Sequence, residues 1–185
     1  MSRKAPTVRE EQADDVDAVR RVVAAAFGGE KVPELLDALR DSVAAWLDTA
    51  FVAEERDEIV ASVAYTRAWL DAPTKLVEVL VLGPLAVHPD RQRDGIGSLL
   101  VKDTLRLLEH RPEPLVFLEG GPDFYSRLGF IAGKELGFSA PSVRIPAPAF
   151  QVATLPGYDQ TWMSGAVVYP DVWWRQNAVG LRPER

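Results

Sequence analysis

The chain has 185 residues, 47% of them hydrophobic and 26% charged, with a formal net charge of −6. That is the size and balance of one globular domain with a full core, and its acidity argues against a nucleic-acid or anionic-membrane partner. It has no cysteine and only two histidines, His88 and His110, which excludes disulfides, thiolate nucleophiles and Cys-ligated metals and argues against a His-rich metal centre.

The basic start, Met1 to Pro6, is not followed by an apolar run, so it does not read as a secretory signal. No run approaches the roughly 20 apolar residues of a membrane span, and the expectation is a cytoplasmic protein. Thr7 to Glu10 leans towards strand. Asp14 and Asp15 are expected to cap a helix carrying Val16, Val19, Val22, Val23 and Phe27 on one face, closed by Gly28-Gly29. A second amphipathic helix is expected after Pro33, with Leu35, Leu36, Leu39, Val43 and Trp46 on its face; the same stretch would also serve as a mobile cover over a cleft. Ala50 to Glu54 and Ile59 to Arg67, joined by Arg56-Asp57-Glu58, form a hairpin. A long strand then runs from Leu76 to Val87, interrupted by Gly83-Pro84. Proline removes a ladder donor, so this interruption marks an edge, a bulge or a split that opens a slot beside the strand.

A helix after Gly95 presents Ile96, Leu99, Leu100, Leu107 and Leu108 on one side. The wholly apolar Leu115-Val116-Phe117-Leu118 suits a strand buried on both faces. A short helix follows from Asp123 to Leu128. The proline- and glycine-rich remainder holds two strand candidates, Phe150 to Leu155 and Gly165 to Tyr169, and a tail after Trp173-Trp174 that reads as frayed. The order β-α-α-β-β-β-α-β-α-β-β predicts a mixed α/β (α+β) fold in one domain over residues 1–185.

The most informative stretch passes from strand to helix through Leu85-Ala86-Val87-His88-Pro89 and then Gln92-Arg93-Asp94-Gly95-Ile96-Gly97-Ser98. A helix entered through glycines offers unpaired N–H groups and partial positive charge, which suits a phosphate-bearing ligand. A P-loop would need Gly-x-x-x-x-Gly-Lys-Ser/Thr, which is absent. A dinucleotide fingerprint would need a third glycine where Leu100 stands. Gln/Arg-x-x-Gly-x-Gly/Ala fits in full at Gln92 to Gly97. This run, with Tyr125-Ser126-Arg127-Leu128-Gly129-Phe130 downstream, resembles the acetyl-CoA site and the later Tyr-x-x-x-Gly-Phe segment of the GNAT acyltransferase superfamily. The resemblance spans about Thr7 to Phe130; residues 131–185 resemble the proline-rich C-terminal extension of a subset of that family.

The resemblance implies a central mixed sheet with a bulged, splayed strand and flanking helices. It also implies acetyl-CoA as acyl donor, with no metal. The pyrophosphate would take the N–H groups of Arg93 to Ser98, with Gln92, Arg93, Asp94, Gly95, Ile96, Gly97 and Ser98 as the loop. The pantetheine amides would pair with the backbone of Leu85, Ala86 and Val87. Asp94 stands where the family carries Lys or Arg, and Arg91 and Arg93 are expected to compensate. Tyr125 matches the general acid for the departing thiolate. Glu78, on the long strand among apolar residues, is the favoured base, with burial raising its pKa; Glu119 is the alternative. His88 reads as a turn residue and Phe124 as packing. Arg127 would serve the fold around the cofactor end. Trp162, Trp173 and Trp174 would line an acceptor pocket, pack in the core or join a homodimer contact. The expected activity is direct transfer of the acetyl group to a small-molecule or peptide amine in a ternary complex. The competing reading is an acyl-CoA-binding regulatory module without catalysis.

Overall fold

The computed structural model describes residues 5–42 and 49–182. Val43 and Trp46 of the expected second helix face, and the first four residues, lie outside these. β1 (Thr7–Glu10) leads through a 3-10 turn (Ala13–Asp15) into α1 (Val16–Phe27). Val19, Val22 and Val23 face inward, and Gly28 closes α1 at φ 72°, donating its N–H to Ala24 C=O. Asp14 and Asp15 do not cap α1: the Asp15 carboxylate accepts from Gln12 N–H at 2.8 Å and binds the Arg9 guanidinium instead. Phe27 is not core either; it is 51% exposed at the last turn, over an open cleft.

α2 (Lys31–Arg40) begins before Pro33 rather than after it. Proline is tolerated there because first-turn N–H groups have no intrahelical acceptor. Leu35, Leu36 and Leu39 are buried, and Arg40 anchors the helix end through an ion pair to the buried Glu11.

β2 (Ala50–Glu55) and β3 (Glu58–Asp71) form the hairpin, with Arg56 and Asp57 at φ 54° and 63°. Two successive positive φ angles match the right-handed twist of the flanking strands. β4 (Leu76–Val87) runs antiparallel to β3. α3 (Ile96–Leu108) crosses over to β5 (Leu115–Glu119), which is parallel to β4. The chain continues through α4 (Pro122–Tyr125), β6 (Ile131–Ala132), β7 (Phe138–Ser139), β8 (Phe150–Thr154), β9 (Gly165–Val168) and α5 (Asp171–Arg175). The described sheet has the order β1-β2-β3-β4-β5-β8-β6, with β9 paired to the far end of β3 and β7 beside β9.

One core lies between the sheet and α1–α2, the other between the sheet and α3. The buried stripe of α3 is Ile96, Leu100, Val101, Thr104 and Leu108, whereas Leu107, expected on it, is 48% exposed. A polar clamp holds this rotation: the buried Tyr65 and Thr104 hydroxyls meet at 2.6 Å. Neither hydroxyl is left unpaired in the core, so the clamp avoids a desolvation penalty of about 1–3 kcal/mol.

The interruption in β4 is a bulge. Tyr65 is in register with Leu82 but Val63 with Leu85, so Gly83 and Pro84 together oppose one residue of β3. The extra residue reverses the alternation. Before it, Val79 and Val81 face α1–α2 while Leu80 and Leu82 face α3; after it, Ala86 faces α1–α2 while Leu85 and Val87 face α3. β4 and β5 pair only at Leu80 with Val116 and Val81 with Phe117, and then part. The tail, expected to fray, is instead packed: Trp173 is 7% and Val179 1% exposed, and Gly180 N–H donates to Glu119 Oε2 at 2.9 Å.

Candidate active site

The parting of β4 and β5 creates a slot whose walls are fixed by backbone phase. His88 N–H bonds Val60 C=O on β3 at 2.9 Å. In a strand, successive residues turn their polar groups to opposite edges. Ala86, two residues before His88 and in register with Ser62, therefore faces β3 as well, and Leu85 and Val87 face the slot. This corrects the expectation for Ala86: its backbone is turned to β3 and its side chain is buried on the α1–α2 side. Leu85 and Val87 remain available to an extended amide-bearing arm, with Val87 C=O also accepting from Gln92 Nε2 at 3.1 Å.

The loop from Gln92 to Ser98 closes one end of the slot. Arg93 and Gly95 take left-handed φ of 66° and 80°, which swings the chain into α3. The first intrahelical bond there is Leu99 N–H to Gly95 C=O, so the N–H groups of Ile96, Gly97 and Ser98 precede the ladder. A cavity of about 650 Å3 opens over them, lined also by Leu85, Val87, Phe124 and Arg127. A Cβ on Gly97 would stand 3.4 Å from Val87 Cγ2 and 3.6 Å from Phe124 Cζ, so the helix end packs closely under the cavity floor.

The loop charges are arranged differently from the expectation. Arg91 is not free to compensate for Asp94: it pairs with Glu55 on the β2–β3 hairpin and with Asp94 Oδ2 at 3.1 Å. Asp94 thus pins the loop to the sheet. Arg93 and Arg127 line the cavity, and neither forms an ion pair among the described residues. Arg127, read from sequence as serving the fold, is a candidate anion partner. His88 accepts from Asp90 N–H, as a turn residue should.

A second cavity, of about 460 Å3, lies at the other end of the slot and shares Phe27 and Leu85 with the first. Tyr125 and Glu119 both line it. Tyr125 sits on α4, held by ring contacts to Phe124 at 4.9 Å and Phe130 at 5.6 Å. Burial pushes its phenol up to about 12, so it stays protonated at neutral pH. Glu119 ends β5. Burial raises its carboxyl above the ordinary value, opposed by the Gly180 N–H and the charge of Arg144. A half-buried carboxyl and a protonated phenol on one cavity form a base and acid pair of the kind proton transfer needs.

Glu78 is not brought there. Its carboxylate is half-exposed, 3.3 Å from Arg67 Nε, and lines neither cavity. The expected burial fails because Glu78 precedes the bulge and sits in register with the partly exposed Trp69, near the opposite end of β4. Among the described tryptophans only Trp173 lines this cavity; Trp162 stacks under Lys75 and Trp174 under Arg144. Tyr169, buried beside Trp173 with ring centroids 5.7 Å apart, lines the same cavity, and nothing in the sequence of the tail marks that place.

A splayed strand, an N–H-rich helix entry and a cavity lined by Tyr125 and Glu119 are the parts that an acyl-CoA-type transferase needs. A model of the acetyltransferase (GNAT) domain matches residues 7–132. The uncharacterized N-acetyltransferase YjhQ of Escherichia coli strain K12 is 30% identical over 129 residues, 69% of this chain and 71% of that protein. Among solved structures, the Escherichia coli GNAT family N-acetyltransferase YhbS in complex with CoA superposes with a TM-score of 0.84 at 21% identity, covering 98% of this chain and 99% of that one. A GNAT family acetyltransferase from Brucella melitensis in complex with acetyl-CoA gives 0.70 at 27% identity, over 90% and 97%. The chain belongs to the GNAT acetyltransferase family and is an acetyl-CoA-dependent acyltransferase. The fold likeness to the Escherichia coli structure runs through the C-terminal segment that closes the second cavity. Among the described residues no helix is long and apolar enough to cross a membrane.

Proposed function

We propose that the chain is a cytoplasmic N-acetyltransferase that moves an acetyl group from acetyl-CoA to a primary amine. The proline-rich C-terminal extension supplies part of the acceptor site. The observation that carries this reading is the junction of the two cavities at Leu85 and Phe27, with the N–H-rich loop beyond one mouth and Tyr125 and Glu119 in the other. The pyrophosphate of the donor rests on the first turn of α3, assisted by Arg93 and Arg127. The pantetheine arm runs along Leu85 and Val87, which brings the thioester to the junction.

The acceptor amine enters the second cavity and attacks the thioester carbonyl. The C–N bond forms, the C–S bond breaks, and the amine proton passes to Glu119 while Tyr125 protonates the leaving thiolate. Glu119 takes the base role in preference to Glu78 because it is the more enclosed of the two and lines the cavity that holds Tyr125. A phenol near 12 is a weak donor to a thiolate in water, whose pKa is about 8.5. The same desolvation raises the thiolate's affinity for a proton, which narrows the gap.

A thiol-release assay with an amine panel, alongside thermal shift with acetyl-CoA and with NAD, tests the reading. Stabilisation by acetyl-CoA alone, with thiol release on at least one amine, is expected. Tyr125→Phe should lower kcat by about 10²-fold or more. Acetyl-CoA binding with no turnover on any amine would replace it with the regulatory-module reading.

A further inference from the structure

The acceptor cavity carries three buried polar atoms that the folded chain leaves without partners. Glu119 Oε1, Tyr169 Oη and Trp173 Nε1 each lack a hydrogen bond among the described residues. All three residues line the same cavity, beside Leu35, Leu82 and Pro84. Tyr169 is 3% and Trp173 7% exposed. Native proteins leave few buried polar groups unsatisfied, because each costs about 1–3 kcal/mol. Three on residues that line one cavity therefore point to a ligand that completes them.

Their chemistry is specific. Glu119 is an acceptor for an ammonium or amine N–H, with its other oxygen already held by Gly180 N–H. Trp173 Nε1 can only donate. Tyr169 can donate or accept, and burial together with the charge of Glu119 holds its phenol far above the ordinary value, so it keeps its proton. Two neutral donors ask for an acceptor atom on the ligand. Apart from Tyr125, the other side chains that line the cavity are apolar.

Resting on the acyl-transfer reading above, we infer that the acceptor is a compact primary monoamine with an apolar body and one neutral hydrogen-bond-accepting oxygen, as in an amino alcohol or an amino amide. The amine meets Glu119, and the oxygen takes the Tyr169 and Trp173 donors. A lysine side chain or a polyamine brings no oxygen to these donors, and a polyamine adds a second charge to an apolar wall. A free amino acid would place a carboxylate beside Glu119 in a cavity whose described lining holds no cation.

Four amines of one scaffold test this: 2-phenylethylamine, phenylalaninol, phenylalanine amide and phenylalanine, with putrescine as the diamine. The readout is kcat/KM in the thiol-release assay at saturating acetyl-CoA. Phenylalaninol or phenylalanine amide should exceed 2-phenylethylamine by about tenfold or more, and phenylalanine and putrescine should be the poorest. Tyr169→Phe and Trp173→Phe, checked for folding by their retained thermal shift with acetyl-CoA, should each reduce that ratio towards one, mainly through KM. Turnover of 2-phenylethylamine equal to that of the oxygen-bearing amines, or a ratio unmoved in both variants, overturns the acceptor assignment and leaves the acyl-transfer reading standing. Failure of every amine with acetyl-CoA still bound overturns both.

Discussion

The ring of Tyr125 lies directly on Gly120: a Cβ built on Gly120 would sit 2.4 Å from Tyr125 Cε2 and 2.9 Å from Cδ2. The absence of a side chain at one position sets the place of the phenol at the other. Gly120→Ala forces the ring away, because the backbone of Gly120 is itself held by its N–H to Ala149 C=O and by Gln151 Nε2 on its C=O. Gly120→Ala should lower kcat nearly as far as Tyr125→Phe and cost about 1–3 kcal/mol in stability, as overpacking does. Thiol-release kinetics beside denaturant unfolding check both; a full kcat would show that the ring's place does not matter.

Glu119 gives a pH signature. Its folded pKa is raised, so between the ordinary carboxylate value and the raised one the folded chain keeps a proton that the unfolded chain has released. Stability contributed by this group is full below the ordinary value and is lost as pH rises through the folded value. Glu119→Gln should therefore raise Tm more at about pH 8 than at about pH 4, while abolishing most turnover. The Gly180 contact survives, since the glutamine oxygen still accepts. A Tm gain of the same size at both pH values would contradict the assignment.

Gly95 carries a backbone demand. Its φ is +80°, and nothing lies within 4 Å of a Cβ built there, so any penalty for alanine is conformational rather than steric crowding. Gly95→Ala should cost about 1–2 kcal/mol, and titration should show weaker acetyl-CoA binding as the N–H groups ahead of Leu99 lose alignment. Gly97→Ala meets only contacts of 3.4 Å and longer and should be milder in both measurements.

Arg127 and Arg91 should behave differently. Arg127 faces the donor cavity, so Arg127→Ala should weaken CoA binding about tenfold with little change in Tm. Arg91 is engaged by Glu55 and Asp94, so Arg91→Ala should lower Tm and loosen the loop. Its effect on CoA affinity should follow from that loosening rather than from a lost phosphate contact. Binding titrations at low and high salt separate these, since a direct phosphate contact is screened.

Several of these features could be read before any coordinates were known. The glycine pair in Gln92 to Gly97, the proline inside the long strand and the tyrosine five residues before Phe130 are local patterns, and local patterns carry turn geometry, bulges and helix entry. The wholly apolar Leu115 to Leu118 announced a strand buried on both faces for the same reason. Glu78 shows the limit. Its apolar neighbours along the strand suggest burial, but a strand residue's environment is set by what crosses its face, and its carboxylate is half-exposed against Arg67.

The sequence by itself determined most of the elements, the place of the break in the long strand and the glycine-bearing loop that enters α3, because each depends on residues within a few positions of one another. Only the tertiary structure decided which carboxylate shares a cavity with Tyr125, that Ala86 turns away while Leu85 and Val87 face the slot, and that Asp94 serves as a tether for Arg91. It also brought Tyr169, Trp173 and Gly180 from the tail to the end of β5. Those outcomes depend on register and on contacts between residues as far apart as Glu119 and Gly180, and no local pattern encodes the distance between them.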